Sequence, residues 1–164
     1  MPKRRINGSR VIVTGASSGI GWELAKQLYA AGAQLVVTAR REERLQALAD
    51  EIGQPEQPIV AIAGDVTDPQ LRLRLIDTAH SELGGLDILI NNAGIGAVGP
   101  FAGASEDRLR QIMEVNFFAP VELIRAALPA LRKGNQPIVV NISSVLGHCA
   151  VPDKSEYCAS KFAM

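Results

Sequence analysis

Arg10-Val11-Ile12-Val13-Thr14-Gly15-Ala16-Ser17-Ser18-Gly19-Ile20-Gly21 is the stretch that decides the fold. Its first five residues, Arg10–Thr14, are mostly β-branched and lack period-two alternation, as in a strand buried on both faces. Glycines then allow a tight turn and a close approach of backbone to ligand. From about Ser18 to Ala31 the spacing becomes helical, with Ile20, Leu24 and Leu28 on one face and Gly32 as the stop. A helix that opens behind such a turn presents unpaired N–H groups and a positive dipole end to a diphosphate. The spacing is G-x-x-x-G-x-G rather than the commoner G-x-G-x-x-G. Set between a strand and a helix, it predicts nucleotide binding by Gly15, Ser17, Ser18, Gly19, Ile20 and Gly21.

The same alternation continues outward. Apolar runs at Gln34–Thr38, Ile59–Ala63, Asp87–Asn91 and Pro137–Ile142 read as four more strands. Between them lies a helix over Glu42–Ile52, with Leu45, Leu48 and Ile52 inward. Another opens at Asp68-Pro69, a capping residue and a proline at the first helical position, and carries Leu71, Leu75, Ala79 and Leu83. A fourth begins near Ser105, with Glu106 and Asp107 at its positive end, and runs through Leu109, Ile112 and Met113 to Asn116. Pro120 forces a kink or restart before Leu123–Leu131. Strand and helix in alternation predict an α/β fold, a parallel sheet with helices on both faces and right-handed crossovers. Ligands bind such sheets at the carboxyl ends of the strands.

No linker or repeat interrupts residues 1–164, so the chain reads as one domain. Met1–Arg10 carries Lys3, Arg4, Arg5 and Arg10 without an apolar h-region behind them; residues 1–9 are expected to form a flexible tail, not a signal peptide. Apolar residues make up 47% of the chain, enough for a sizeable core. Lysine plus arginine equals aspartate plus glutamate at 17 each, which leaves no electrostatic footprint for nucleic acid or an anionic membrane. No run approaches the ~18 apolar residues of a membrane span. Cys149 and Cys158 fit neither a zinc pattern nor a disulfide framework, so no metal site is expected and a reducing cytoplasm fits.

The other strand ends refine the ligand. An acid after strand two would accept hydrogen bonds from the adenosine ribose and repel a 2′-phosphate. The run here is Thr38-Ala39-Arg40-Arg41. Arginine matches phosphate in charge and bidentate geometry, so Arg40 is expected to contact a 2′-phosphate. Arg41 either joins it or starts a solvated helix face with Glu42 and Glu43. The cofactor expected is NADP(H), NADPH being preferred over NADH. After strand three, Asp65 accepts from an adenine amino group or caps a turn, and Val66 packs on the ring. After strand four, Asn91-Asn92-Ala93-Gly94 suits close approach of Asn92, Ala93 and Gly94 to a ribose, a plain tight turn being the competing reading.

Near the end of the chain, Tyr157 and Lys161 share one helix face at about 5–6 Å. An ammonium that close favours phenolate and lowers a tyrosine pKa from ~10, giving a proton donor and acceptor usable near neutrality. Ser144, after strand five, offers a hydroxyl that could polarise the same carbonyl. Singly, each has a bland reading: a capping serine, surface helix residues. Leu146–Ser155 should line the substrate side, where Val145, Leu146 and Val151 hint at a partly hydrophobic substrate. His148 reads as a loop histidine.

Taken together, Thr14–Gly21, Asn91–Gly94, Asn116, Ser144 and Tyr157-x-x-x-Lys161 resemble the classical short-chain dehydrogenase/reductase family over nearly the whole chain. The resemblance implies a Rossmann-type doubly wound sheet of strand order 3-2-1-4-5, which the family extends with two further strands. It implies hydride transfer between a nicotinamide and a carbonyl or secondary alcohol. Tyr157 would be the general acid or base, and Lys161 would lower its pKa and bind the nicotinamide ribose. Ser144, rather than Ser143, would hold the substrate oxygen. Asn116 would position a water relaying protons toward Lys161. Small-molecule substrates and a homodimer or homotetramer are implied as well.

Chains of that family continue well past residue 164, so the sequence is expected to be part of a longer one, with its C-terminal strands missing. Ile138, Val139, Val140 and Ile142 would then stand at an uncovered sheet edge, and the helix carrying Tyr157 would be marginal without packing. The alternative function is a cofactor-binding fragment with weak or no turnover.

Overall fold

The structure, a computed structural model, describes residues 5–164. Five strands, β1 (Arg10–Thr14), β2 (Gln34–Ala39), β3 (Ile59–Ala63), β4 (Ile88–Asn91) and β5 (Ile138–Asn141), form one parallel sheet in the order β3-β2-β1-β4-β5. The register sets Thr14 opposite Thr38, Val13 opposite Ile90 and Asn91 opposite Asn141. The turns that follow β1, β2, β4 and β5 therefore all leave the sheet on one side. Six helices complete the fold: α1 (Gly19–Ala30), α2 (Glu42–Ile52), α3 (Pro69–Leu83), α4 (Glu106–Met113), α5 (Ala119–Leu131) and α6 (Ser155–Ala163).

Successive side chains of a strand point to opposite faces. Val11, Val13, Leu35 and Val37 accordingly pack with Ala25 and Tyr29 of α1 and Leu45 and Leu48 of α2. Ile12, Val36 and Leu89 pack with Leu71 and Leu75 of α3 and Leu123 and Ala127 of α5. Both faces of β1 and β2 are thereby covered, which accounts for their unbroken apolar runs. The helix starts follow the capping signals: the Asp68 side chain accepts from Gln70 N–H at 2.9 Å, and Ser105 Oγ from Arg108 N–H at 3.2 Å.

Three expectations need correction. Ile20 is not a core residue: it is 62% exposed, and the buried face of α1 is Gly21, Ala25 and Tyr29. The first turn of α1 overhangs the strand ends, where the sheet no longer lies beneath it. Leu109 is likewise 38% exposed, while Ile112 is buried. The chain ahead of β1 is no loose tail in its described part. Ile6 packs against the core, Gly8 N–H donates to Gly32 O at 2.8 Å, and Ser9 is buried. Residues 1–4 of that expected tail lie outside the described residues. The break anticipated at Pro120 takes the form of a π-helical stretch, Glu114–Phe118, between α4 and α5, with Pro120 in the first turn of α5.

At the other end of the sheet Arg10 and Asp87 form a closed ion pair. Asp87 Oδ2 accepts from Arg10 N and Nε, both at 2.9 Å, while Oδ1 accepts from Arg10 Nη2 and Asn135 N, both at 2.6 Å. Burial pushes this carboxyl up, but the bonds from Arg10 and Asn135 outweigh it and hold its pKa at about 2.

Candidate active site

The turns after β1 and β4 are built as one unit. Thr14 Oγ1 is buried and accepts from Asn92 N and Ala93 N, both at 3.0 Å. The Asn92 side-chain amide donates back to Thr14 O at 2.9 Å and Gly15 O at 3.2 Å. The three glycines of the first turn serve different ends. Gly15 has φ +68°, and a Cβ there would stand 2.8 Å from Ala93 Cα. Gly21 has no room at all, since a Cβ would lie 2.4 Å from Asn92 Nδ2 and Gly15 O. Gly19, at φ +56°, has nothing within 4 Å of such a Cβ and faces open space. Gly15 and Gly21 thus seat the turn against its neighbour, while Gly19 keeps its outer surface clear.

Ser18 caps α1 without a side-chain hydrogen bond, and the first backbone bond of the helix runs from Trp22 N–H to Ser18 O at 3.4 Å. The N–H groups ahead of Trp22 remain for a ligand. Beside them, along the carboxyl ends of the strands, lies a cleft of about 450 Å³ lined by Gly15, Ser17, Ser18, Ile20, Arg40, Arg41, Asp65 and Val66, and by Asn92, Ala93 and Gly94. Gly19 and Gly21 do not line it. Arg40 is exposed at its rim. Arg41 folds back onto the glycine turn, donating through Nη2 to Ser17 Oγ at 3.0 Å and Ser18 Oγ at 2.6 Å. Asp65 takes the turn-capping role, its Oδ1 accepting from Thr67 N at 2.9 Å and Thr67 Oγ1 at 2.8 Å, and it also lines the cleft.

A second lobe, about 330 Å³, continues from the first through Ile20, Asn92, Gly94 and Ile95, and ends at Ile142, Ser143, Lys154, Tyr157 and Lys161. Lys161 Nζ is buried, donates to Ile142 O at 2.9 Å and lies 5.8 Å from the centre of the Tyr157 ring. Burial holds this amine below its ordinary pKa. The face shared by Tyr157 and Lys161 is therefore the one turned to the cleft.

The two remaining predicted residues sit differently. Ser144 is half-buried and does not line the lobe; its Oγ accepts from Leu146 N–H at 3.2 Å and caps the short 3₁₀ turn Val145–Gly147. Ser143 does line the lobe, and donates to Lys161 O at 3.2 Å. Asn116 is fully buried in the π-helical stretch, and its side chain is already engaged. Oδ1 accepts from Ile95 N–H at 2.8 Å, while Nδ2 donates to Ile95 O and Ser160 Oγ, both at 2.9 Å. Its side chain thus joins the loop after β4 to α6. Val145 and Val151, expected on the substrate side, are 71% and 38% exposed and line neither lobe.

Lys154, within the stretch expected to line the substrate side, does stand on the lobe wall, whereas sequence reasoning missed three residues that shape this end: Ser160, and the ion pair of Arg108 with Glu156. The partners in each contact are far apart in the chain or carry no spacing signal. Among the described residues, no group of three or more acids, histidines or cysteines could hold a metal, and no helix is long and apolar enough to cross a membrane.

The family model described as short chain dehydrogenase matches residues 9–164. Mouse "Dehydrogenase/reductase SDR family member 7B" is 40% identical over 170 residues, covering 98% of this chain and 51% of that protein. An uncharacterized oxidoreductase of Staphylococcus saprophyticus is 38% identical, covering 94% of this chain and 62% of the relative. A short-chain dehydrogenase from Streptomyces avermitilis superposes with a TM-score of 0.86 at 39% identity, over 94% of this chain and 56% of that one. A 7α-hydroxysteroid dehydrogenase complexed with NADH and 7-oxo glycochenodeoxycholic acid gives 0.91 at 33% identity, over 97% and 62%. The chain spans about half the length of the mouse relative.

Proposed function

The chain belongs to the short-chain dehydrogenase family, and from that premise we propose that it is an oxidoreductase transferring hydride between NADP(H) and the carbonyl or secondary alcohol of a small molecule. The observation that carries the reading is the continuity of the cleft: the glycine turn at one end and Tyr157 with Lys161 at the other share Ile20, Asn92, Gly94 and Ile95 as common wall. A dinucleotide needs a diphosphate site and a reactive end within one groove. The cleft-lining turn residues Gly15, Ser17, Ser18 and Ile20, at the unpaired first turn of α1, fit the diphosphate. Asp65 and Val66 suit the adenine, and Asn92, Ala93 and Gly94 the ribose.

Bound there, the nicotinamide supplies the hydride in carbonyl reduction and accepts it in alcohol oxidation. Tyr157 gives its phenolic proton to the substrate oxygen in reduction and takes it back in oxidation. Lys161 spends one N–H on Ile142 O and keeps two for the ribose and the phenol side. Ser144, next in the chain to the lobe-lining Ser143, retains its hydroxyl hydrogen for the substrate oxygen, because its bond to Leu146 uses the oxygen only as an acceptor. Arg40, exposed on the rim, favours the 2′-phosphate, and Arg41 adds charge beside Ser17 and Ser18. A cytoplasmic homo-oligomer is part of the same proposal.

A second reading is cofactor binding with weak turnover. The observation favouring it is Ser144, which does not line the lobe shared by Tyr157 and Lys161. Two measurements separate the readings: nicotinamide fluorescence for binding of NADPH and NADH, and NADPH absorbance with a panel of ketones and aldehydes for turnover. Turnover that is lost in Tyr157→Phe supports the oxidoreductase; binding without turnover supports the second reading.

A further inference from the structure

Glu156 is an unusual neighbour for a proton-transfer residue. It is 2% exposed, precedes Tyr157 directly and lies in the first turn of α6. Arg108 of α4 donates to its Oε1 through both Nε, at 2.9 Å, and Nη2, while Ser155 Oγ donates to Oε2 at 2.7 Å. The Ser155 hydroxyl first, then Arg108 and the backbone N–H of Glu156, hold this carboxyl at about 2, so it stays charged at working pH. The backbone N–H of Arg108 donates to Ser105 Oγ at 3.2 Å at the start of α4, and its Nη1 passes close to Gly99, 3.5 Å from where a Cβ there would stand. Gly99 N–H in turn donates to Asp153 O, two residues ahead of α6, at 2.8 Å.

A second tie grips α6 on the far side of Tyr157. Ser160 Oγ donates to Tyr157 O at 2.8 Å and accepts from Asn116 Nδ2 at 2.9 Å. Tyr157 is therefore bracketed by two polar clamps, both reaching back to the continuous α4–π–α5 segment. A buried charge whose partner is removed must be hydrated or neutralised, and the loss is larger than the worth of the pair itself. With Arg108 gone, Glu156 gains water through the space the partly exposed guanidinium leaves and through movement of the first turn of α6, which carries Tyr157 with it.

We propose that the buried Arg108–Glu156 ion pair is a positioning device that sets the phenol of Tyr157 in the cleft. The proposal rests on the reading of Tyr157 as the proton-transfer group, and it assigns neither Arg108 nor Glu156 any contact with substrate. Its test uses protein expressed from the complete reading frame, in the variants Arg108→Met, Arg108→Lys and Arg108→Met/Glu156→Gln. Three quantities are read: kcat for NADPH oxidation with the ketone and aldehyde panel, the NADPH Kd, and amide exchange of α6 against β1 and β2.

Arg108→Met should lower kcat about 10–100-fold, the scale of a ~1 Å misplacement, and leave the Kd within about 3-fold. Exchange of α6 amides should quicken while β1 and β2 stay protected. Removing the stranded charge in the double variant should recover about 10-fold of kcat, and Arg108→Lys, with charge but no fork, should fall between. A kcat in Arg108→Met within about 3-fold of the parent overturns the proposal. So does a double variant no better than Arg108→Met, or a loss of Kd and β1 protection together with kcat. If Tyr157→Phe keeps its turnover, the functional reading itself fails, a result distinct from any of these; the exchange data then still decide whether the pair holds α6.

Discussion

The two ends of the cleft are held by different forces. At the dinucleotide end, β1 and β2 are covered on both faces, and Val11, Ile12, Val13, Leu35, Val36 and Val37 are all fully buried. At the end proposed for proton transfer, the groups that set the site lie on β5, α6 and the π-helical stretch. Apolar burial secures the first. The second is fastened by discrete polar contacts: Asn116 on Ser160, Arg108 on Glu156, Ser143 and Lys161 across to one another and to Ile142. Apolar packing tolerates small displacement because it is non-directional, whereas hydrogen bonds fix direction and fail singly. The ligand-holding end thus rests on packing, and the chemical end on directed contacts.

The strongest way to break this contrast is Tyr157→Phe. Turnover should fall by about 1,000-fold, within the range for a positioned acid or base, while the NADPH Kd changes by less than about 3-fold. Equal losses in both would mean that the two ends are not separable. Next comes Asn116→Ala, which removes three hydrogen bonds from a fully buried site. It should cost about 2–4 kcal/mol in urea unfolding and release α6 amides to exchange before those of β1. Loss of β1 protection first would show the polar ties to be incidental.

A smaller effect should mark the dinucleotide end alone. Arg40→Ala should reduce the preference for NADPH over NADH about 10-fold, as for loss of a charged hydrogen bond, without altering kcat at saturating cofactor. An unchanged ratio of dissociation constants removes the NADP(H) assignment and leaves the cleft intact.

The smallest expected effect, a change of slope in acid that links the two halves, concerns Asp87. Its folded pKa of about 2 lies below its ordinary 3.8, so its contribution is complete above about pH 4 and is lost as pH falls toward 2. Glu156 titrates over the same window in the same direction. Acid unfolding should therefore steepen between about pH 4 and 2, and Asp87→Asn should flatten the slope only in part, because Glu156 remains. A slope unchanged by that substitution would remove Asp87 from the account.

Much of this was legible along the chain. Runs such as Arg10–Thr14 and Ile59–Ala63 match strand ends to the residue, and Asp68-Pro69 marks its helix start, because these signals are local and backbone-driven. The position of the glycine turn, Arg40 and Asp65 along the cleft, and the shared face of Tyr157 and Lys161, were legible for the same reason: each depends on spacing within one element. Ile20 was misread because helical periodicity gives the angle around an axis, not where the sheet beneath stops. Residues 5–9 were misread because composition does not show that Gly32 and Gln34 await partners from Gly8 and Ser9. The engagement of Asn116 with Ile95 and Ser160 required knowing which loop and which helix meet a π-helical turn.

What the sequence determined alone is the order of elements, the chemistry available at each strand end and the pairing of a phenol with an amine one turn away. These follow from propensity, capping and periodicity, which act over a few residues. Only the tertiary structure decided that the glycine turn and the Tyr157 face share one groove, that Ser143 rather than Ser144 lines it, and that Arg108 reaches Glu156 across two helices. Those facts depend on packing between segments far apart in the chain, where no local pattern carries the partner's identity.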